Sequence, residues 1–181
     1  MDLTIKKILL ATDFSKNAWQ ALQYAAALAK QNQAKVICLH VLPEVPKELT
    51  YSGGPNLLYG YGPGYSGVPV SGREARDSKR SDQVSKEGLE RAEEMARDHI
   101  RSLIVKLKTE NREAVLRPED SLVRVGNPVE GILDQVESGD YDLVVMGRRG
   151  HGSLRGPRTG GVALGVVSRS SAPVLVVGTY K

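Results

Sequence analysis

Asp142-Leu143-Val144-Val145-Met146-Gly147-Arg148-Arg149-Gly150 is the stretch on which the fold turns. Leu143 to Met146 form an unbroken apolar run, too short for a buried helix and without the polar alternation of a strand that faces water. The run reads as a strand covered on both faces, and it opens directly into a loop with glycine at positions 147, 150, 160 and 161. A strand of that kind belongs in a parallel sheet flanked by helices.

The same pattern recurs on either side. Ile5–Ala11, with Ile8, Leu9 and Leu10 in succession, reads as a short buried strand that Thr12-Asp13-Phe14-Ser15 brings to an end. Ser15 or Asn17 is placed to cap a helix in which Ala18, Ala21, Leu22, Ala25, Leu28 and Ala29 recur at helical spacing. Val36–Leu42 is a second apolar strand, closed by Pro43. Strand, helix and strand in that order imply a parallel pair joined by a right-handed crossover.

From about Asp77 to Lys108 the chain is strongly helical, with Val84, Ala92, Met95, His99, Leu103 and Leu107 on one side and a solvated charged face on the other. Ala114–Val125 holds one or two short strands around Pro118. Gly126 follows, and Asn127-Pro128-Val129-Glu130 starts a helix: asparagine caps, proline takes the first helical position, and Glu130 completes a capping box. That helix stops near Gly139. After the glycine loop, a weaker helix over about Gly161–Ser170 leads into a last strand, Pro173–Val177. The expected fold is α/β: a doubly wound, Rossmann-like open sheet of about five parallel strands with helices on both faces.

With 181 residues, 40% of them hydrophobic, the chain is expected to bury one core as a single domain, residues 1–181. A Gly/Pro/Tyr-rich flexible insertion is expected at about 43–76. Within it, residues 51–72 hold seven glycines, three prolines and four tyrosines and no charged residue. No stretch approaches the roughly 20 apolar residues of a membrane-spanning helix, and residues 1–10 have no signal-peptide pattern. The single cysteine, Cys38, lies in an apolar strand and excludes a disulfide within the chain. These features point to the reducing cytoplasm. Residues 147–181 contain no Asp or Glu but carry six basic residues, a charge of +6 against −2 for the rest of the chain. Four of those arginines crowd one glycine-rich loop, which suits a small anion better than nucleic acid.

Glycines allow positive φ and let backbone N–H groups approach a ligand closely. A run of N–H groups leading into a helix N-terminus makes an anion site. Tight turns alone would also account for such glycines, and for an isolated loop the two readings are even. No pair of histidines among His40, His99 and His151 has metal-ligand spacing. His40 reads as a packed histidine, and His151 could touch a phosphate. Ser153, Thr159 and Ser168 lack a nucleophile elbow or a paired base, and no Walker loop is present. No catalytic residues and no metal ligands are therefore assigned, and no more than weak hydrolysis is expected.

Several separate motifs occur in one order: Ile8-Leu9-Leu10-Ala11-Thr12-Asp13-Phe14-Ser15, Leu39-His40-Val41, Val125-Gly126-Asn127-Pro128, Asp142–Gly147, the Gly-x-x-Gly-(nine)-Gly spacing, and Ala172–Val177. Together they resemble the universal stress protein family along most of the chain outside residues 43–110. The resemblance implies the adenine-nucleotide α-hydrolase-like fold and a regulatory protein that binds an adenine nucleotide, ATP foremost and with Mg²⁺ as an optional companion. It implies that Asp13, after Ala11 and Thr12, and Val41 meet the adenosine end, with Gly126 beside them. Gly147, Gly150 and Gly160 map to the family's glycines and would wrap the phosphates, with Met146, Gly161 and Val162 beside them; Arg148 and Arg149 either reach the phosphates through their guanidinium groups or point to solvent. A homodimer through Val174–Val177 is also implied, and that strand would otherwise be an exposed apolar edge. Protein partners fit as well, while nucleic acid and membrane insertion are not expected.

Two departures stand out. The family carries Ser or Thr directly after its last glycine, where this chain has Gly161. Members commonly carry a small residue and then His inside the first glycine pair, where this chain has Arg148-Arg149. The alternative reading is a protein-interaction module of the same fold that no longer binds nucleotide.

Overall fold

The computed structural model describes residues 4–43, 78–111, 114–150 and 159–178, with side chains of the second stretch described from residue 88. Among these residues nine elements follow in order: β1 (Lys7–Ala11), α1 (Lys16–Asn32), β2 (Lys35–Leu42), α2 (Ser78–Glu110), β3 (Ser121–Val125), α3 (Pro128–Gly139), β4 (Leu143–Gly147), α4 (Gly161–Arg169) and β5 (Val174–Val177). The strands form one sheet in the order β3-β2-β1-β4-β5, and every pairing is parallel. The expected α/β sheet is the observed one. The expected insertion at about 43–76 lies, beyond Pro43, outside the described residues, and so do His151, Ser153, Arg155 and Arg158.

Alternation along the strands sorts the core into two layers. Ile8, Leu10, Val36, Cys38, Val145 and Val177 point to the side covered by α1 and α2. Leu9, Ala11, Ile37, Leu39, Val41, Val144 and Met146 point to the side covered by α3 and α4. Each large aliphatic side chain so buried contributes about 1.5–3 kcal/mol, which is why the central strands are apolar on both faces. Cys38 is buried, and burial pushes its thiol up to about 12, so it packs as an inert core residue.

Helix termini follow the side-chain chemistry. Ser15, and not Asn17, caps α1, its hydroxyl accepting from Ala18 N at 3.2 Å. Asn127 caps α3, accepting from Val129 N at 2.9 Å and Glu130 N at 3.4 Å. The capping box is only half made, because the Glu130 carboxylate turns to the Arg169 guanidinium, at 2.6 and 2.8 Å, and so joins α3 to α4.

One expectation shifts, and one open alternative is decided. The buried stripe of α2 runs through Ala92, Ala96, Ile100, Ile104 and Leu107, while Met95 is 42% exposed. Ala92 and Leu107 keep their expected side; the docking of α2 on β2 and β3 rotates the stripe away from Met95. Between Ala114 and Val125 a single strand forms, Ser121–Val125. Pro118 lacks the N–H a ladder needs, so the preceding residues 114–117 stay irregular although Leu116 is buried.

Candidate functional site

In a sheet whose strands are all parallel, every carboxyl end falls on one edge. The chain runs outward from β1 to β2 and β3, then crosses back to β4 and β5, so the switch point lies between β1 and β4. A crevice opens at such a point because the two flanking connections leave in opposite directions.

The β1 side of the crevice is built from a tight turn. Thr12 N donates to Leu39 O at 2.9 Å, extending the ladder by one residue. The Thr12 hydroxyl then accepts from Phe14 N at 3.2 Å, and Asp13 Oδ1 accepts from Ser15 N at 3.1 Å. Phe14 takes φ 65°, a left-handed conformation that a bulky residue holds only against strain. Its ring is clamped, with centroids 4.4 Å from His40 and 4.2 Å from His99, the latter stacked almost parallel. His40 Nδ1 lies 2.7 Å from Thr12 O and donates to it. Burial holds both imidazoles below their usual range, in His40 against the opposing pull of its bond to Thr12 and the Asp13 carboxylate. Aromatic packing under the turn thus holds Phe14, while the bond from Ser15 N holds one oxygen of Asp13.

The β4 side is held just as firmly. A Cβ at Gly147 would lie 2.9 Å from Asn17 C and 3.0 Å from Ala18 N, so only glycine lets β4 end against the start of α1. Beyond it, Arg148 N donates to Val177 O at 2.7 Å, and Gly160 N donates to Arg148 O at 2.8 Å. Arg149 O accepts from Ser15 Oγ at 3.2 Å and from Asn17 Nδ2 at 3.1 Å. A Cβ at Gly150 would collide with Asp13 Oδ2. The first-turn carboxylate and the first glycine pair are therefore immediate neighbours, although they lie at opposite ends of the sequence.

The remaining candidates fall around this centre. Gly160 caps α4 with no side-chain hydrogen bond, and a Cβ at Gly161 would meet nothing within 4 Å. Val162 is exposed beside it. Ala11 and Met146 lie at the strand ends with their side chains buried toward α3 and α4. Val41 is buried, its methyls within 3.2 Å of where a Cβ at Gly131 of α3 would sit, so its side chain packs under α3. Gly126 is the most remote, at the end of the edge strand β3. Its N–H donates to Leu42 O at 2.8 Å and its φ of 143° demands glycine. The Arg148 side chain lies against Gly178 at the end of β5, and its Nε is buried without a hydrogen-bond partner among the described residues.

Sequence reasoning missed the contacts of Ser15 and Asn17 with Arg149 and the clamp of His40 and His99 on Phe14. The signal for the clamp is present in His40, a polar residue in the middle of an otherwise apolar strand. A separate concavity of about 500 Å³ lies at the opposite edge of the sheet, lined by Thr4, Glu137, Tyr141, Asp142 and Pro173 among others. It is remote from this chemistry. Among the described residues, no three His, Cys, Asp or Glu side chains are grouped to hold a metal, and no helix is long and apolar enough to cross a membrane.

Comparison with known proteins adds a lineage. The universal stress protein family profile matches residues 4–58 and 68–178. Universal stress protein MJ0577 of Methanocaldococcus jannaschii is 30% identical over 177 residues, covering 98% of this chain and 97% of its own. Universal stress protein Sll1388 of Synechocystis sp. is 29% identical, covering 94% of this chain and 96% of its own. Among solved structures, universal stress protein UspA from Lactobacillus plantarum superposes with a TM-score of 0.67 at 20% identity, over 96% of this chain and 97% of that one. A universal stress protein in complex with cAMP superposes with a TM-score of 0.54 at 17% identity, over 98% and 99% of the two chains. The sheet order and motif order agree with this kinship throughout: the chain belongs to the universal stress protein family.

Proposed function

We propose that the crevice between β1 and β4 binds an adenine nucleotide, with ATP as the principal ligand, and that the protein acts as a regulatory module and not as an enzyme. The reading rests above all on the abutment of Asp13 on Gly150. A carboxylate held at the rim of a glycine loop suits a ribose hydroxyl or the adenine amine, which are hydrogen-bond donors it can accept from. The backbone at the end of β2, near Val41, is available to the adenine edge. The residues present fit the phosphates as well: the uncapped start of α4 offers the N–H groups of Gly161 and Val162, Gly160 N being taken by Arg148 O, and Arg148 Nε is a buried donor without a partner among the described residues. A nucleotide bound there supplies a polyphosphate whose charge these groups neutralise. The cAMP complex of a universal stress protein supports the reading, since a protein of the same fold holds an adenine nucleotide.

Isothermal titration of the purified protein with ATP, ADP and AMP tests the proposal. Saturable binding of at least one is expected, and no heat of binding even at millimolar nucleotide would overturn it. Residues 1–181 act in this reading as one cytoplasmic domain that pairs with a second copy through β5, a sheet edge whose Val174, Leu175 and Val176 are half-buried. Light scattering at micromolar protein would show a dimer.

A second reading, a protein-interaction module without nucleotide, is favoured by one observation. Gly161 supplies no hydroxyl at the α4 start, while α4 itself presents Leu164, 59% exposed, beside Val167. Nucleotide released by heating freshly purified protein would count against it.

A further inference from the structure

Asp13 stands between two residues that His40 holds. His40 Nδ1 donates to Thr12 O at 2.7 Å, and the same ring packs on Phe14 with centroids 4.4 Å apart. His99 of α2 also stacks on Phe14, with centroids 4.2 Å apart and 6° between the ring planes. Phe14 takes φ 65°, a strained conformation for a bulky residue that persists only where its surroundings impose it. An aliphatic side chain at position 40 would fill the buried place in β2, but it could not bond Thr12 O. The histidine therefore ties the core of the sheet to both neighbours of the carboxylate that abuts the glycine loop.

Resting on the proposed nucleotide site, we infer that the stack of His40, Phe14 and His99 makes that site pH-sensitive: the neutral stack holds the first turn in its binding form, and protonation of His40 releases it. A carbonyl only accepts, so Nδ1 of His40 carries a proton and Nε2 is the atom that titrates. The charged groups that act on this ring are the Asp13 carboxylate of the turn and His99 of α2. From β1 it meets the Thr12 carbonyl, β3 pairs with it through Val123, and α1 adds no charge among the described residues. An imidazolium at position 40 attracts Asp13 and repels a charged His99. Because β2 and β4 flank β1 on opposite sides, that attraction draws the carboxylate away from Gly150 and the ligand. A buried charge also demands water, which loosens the ring from Phe14. Burial holds both imidazoles below their usual range, so the neutral stack prevails at neutral pH and release belongs to mild acid. Affinity is full above about pH 6.5, the value of an unperturbed imidazole, and falls as the pH drops through the depressed folded value of His40. His40 acts through its neighbours and is a positioning residue.

The test is calorimetric titration of the full chain with adenosine, in steps from about pH 7.5 to about pH 5, with ATP as a control near pH 7.5. Adenosine has no phosphate, so the ligand itself does not titrate in this range. Wild type weakens by about threefold or more toward the acid end, while circular dichroism shows the chain folded at each step. His40→Gln keeps a donor for Thr12 O and cannot be protonated, so it binds as wild type does near neutral pH and loses little in acid. Binding and proton uptake are reciprocal, so adenosine lowers the His40 pKa of wild type, read by proton NMR. That measurement decides the matter if His40→Gln does not fold. A flat wild-type profile, an undiminished fall in His40→Gln, or a His40 pKa that adenosine leaves in place would each overturn the inference and leave the nucleotide site standing. Wild type that binds ATP but no adenosine would show a turn with no grip of its own, and would overturn it too. Wild type that binds neither ligand would remove the site itself and this inference with it.

Discussion

Asp13 and Gly150 compete for one space, so the acidic first turn and the glycine loop are fitted to each other across almost the whole length of the chain. A Cβ at position 150 would meet Asp13 Oδ2, the far end of a flexible side chain, so the carboxylate would have to swing aside. Gly150→Val is therefore expected to lower nucleotide affinity by about tenfold or more by displacing the Asp13 carboxylate, with only about 0.5 kcal/mol or less of stability lost, since no packed core is disturbed. Calorimetry and urea denaturation measure the two separately, and retained affinity would mean that Asp13 and the loop do not share a ligand. His40 provides a second residue-level expectation. Its folded imidazole resists protonation, whereas in the unfolded chain it takes a proton near pH 6.5, as an unperturbed imidazole does. The unfolded state thus binds more protons as the pH falls below that value, so stability is full above it and is lost on the way down to the depressed folded pKa. His99 acts in the same direction. Urea midpoints should drop as the pH falls from about 7 through 6.5, and His40→Gln should flatten part of that slope. The placement of Asp13 at the first turn is legible in the sequence. The direction of Arg148 is not, because it depends on the space left by Gly178, far along the chain.

At the level of helices and strands, short-range chemistry is legible and docking is not. Proline at the first turn of α3 and the asparagine before it mark the helix start correctly, since both act within a few residues. The reciprocal bond from Glu130 fails because a tertiary partner, Arg169, competes for the same carboxylate. Urea denaturation separates the two contributions. Asn127→Ala should cost about 1 kcal/mol, as an N-cap loss does, whereas Glu130→Ala should change little because the pair it breaks is exposed. A larger loss from Glu130→Ala than from Asn127→Ala would mean that the contact between α3 and α4 outweighs the cap. The face of α2 departs from expectation at Met95 for a related reason. Alanine and methionine at adjacent positions offer two overlapping apolar stripes, and only packing against β2 and β3 selects the one through Ala96, Ile100 and Ile104.

For the whole chain, the order of apolar runs, caps and glycines is enough to specify a parallel doubly wound sheet, and parallel topology then forces Asp13, Val41, Gly126 and the glycine loop onto one edge. What that order does not supply is their grouping within the edge. Strand order, a property of the assembled sheet, puts β1 beside β4 and leaves Gly126 at the outer strand β3, two strands from the centre. Occupation of the crevice between β1 and β4 by an adenine nucleotide is the proposal on which the rest depends, and a crystal structure of the protein soaked with ATP would decide it. Density for the adenosine is expected near Asp13 and the end of β2, with phosphates between Arg148 and the start of α4. Nucleotide density at any other place on the protein, or an empty crevice at millimolar ATP, would contradict it.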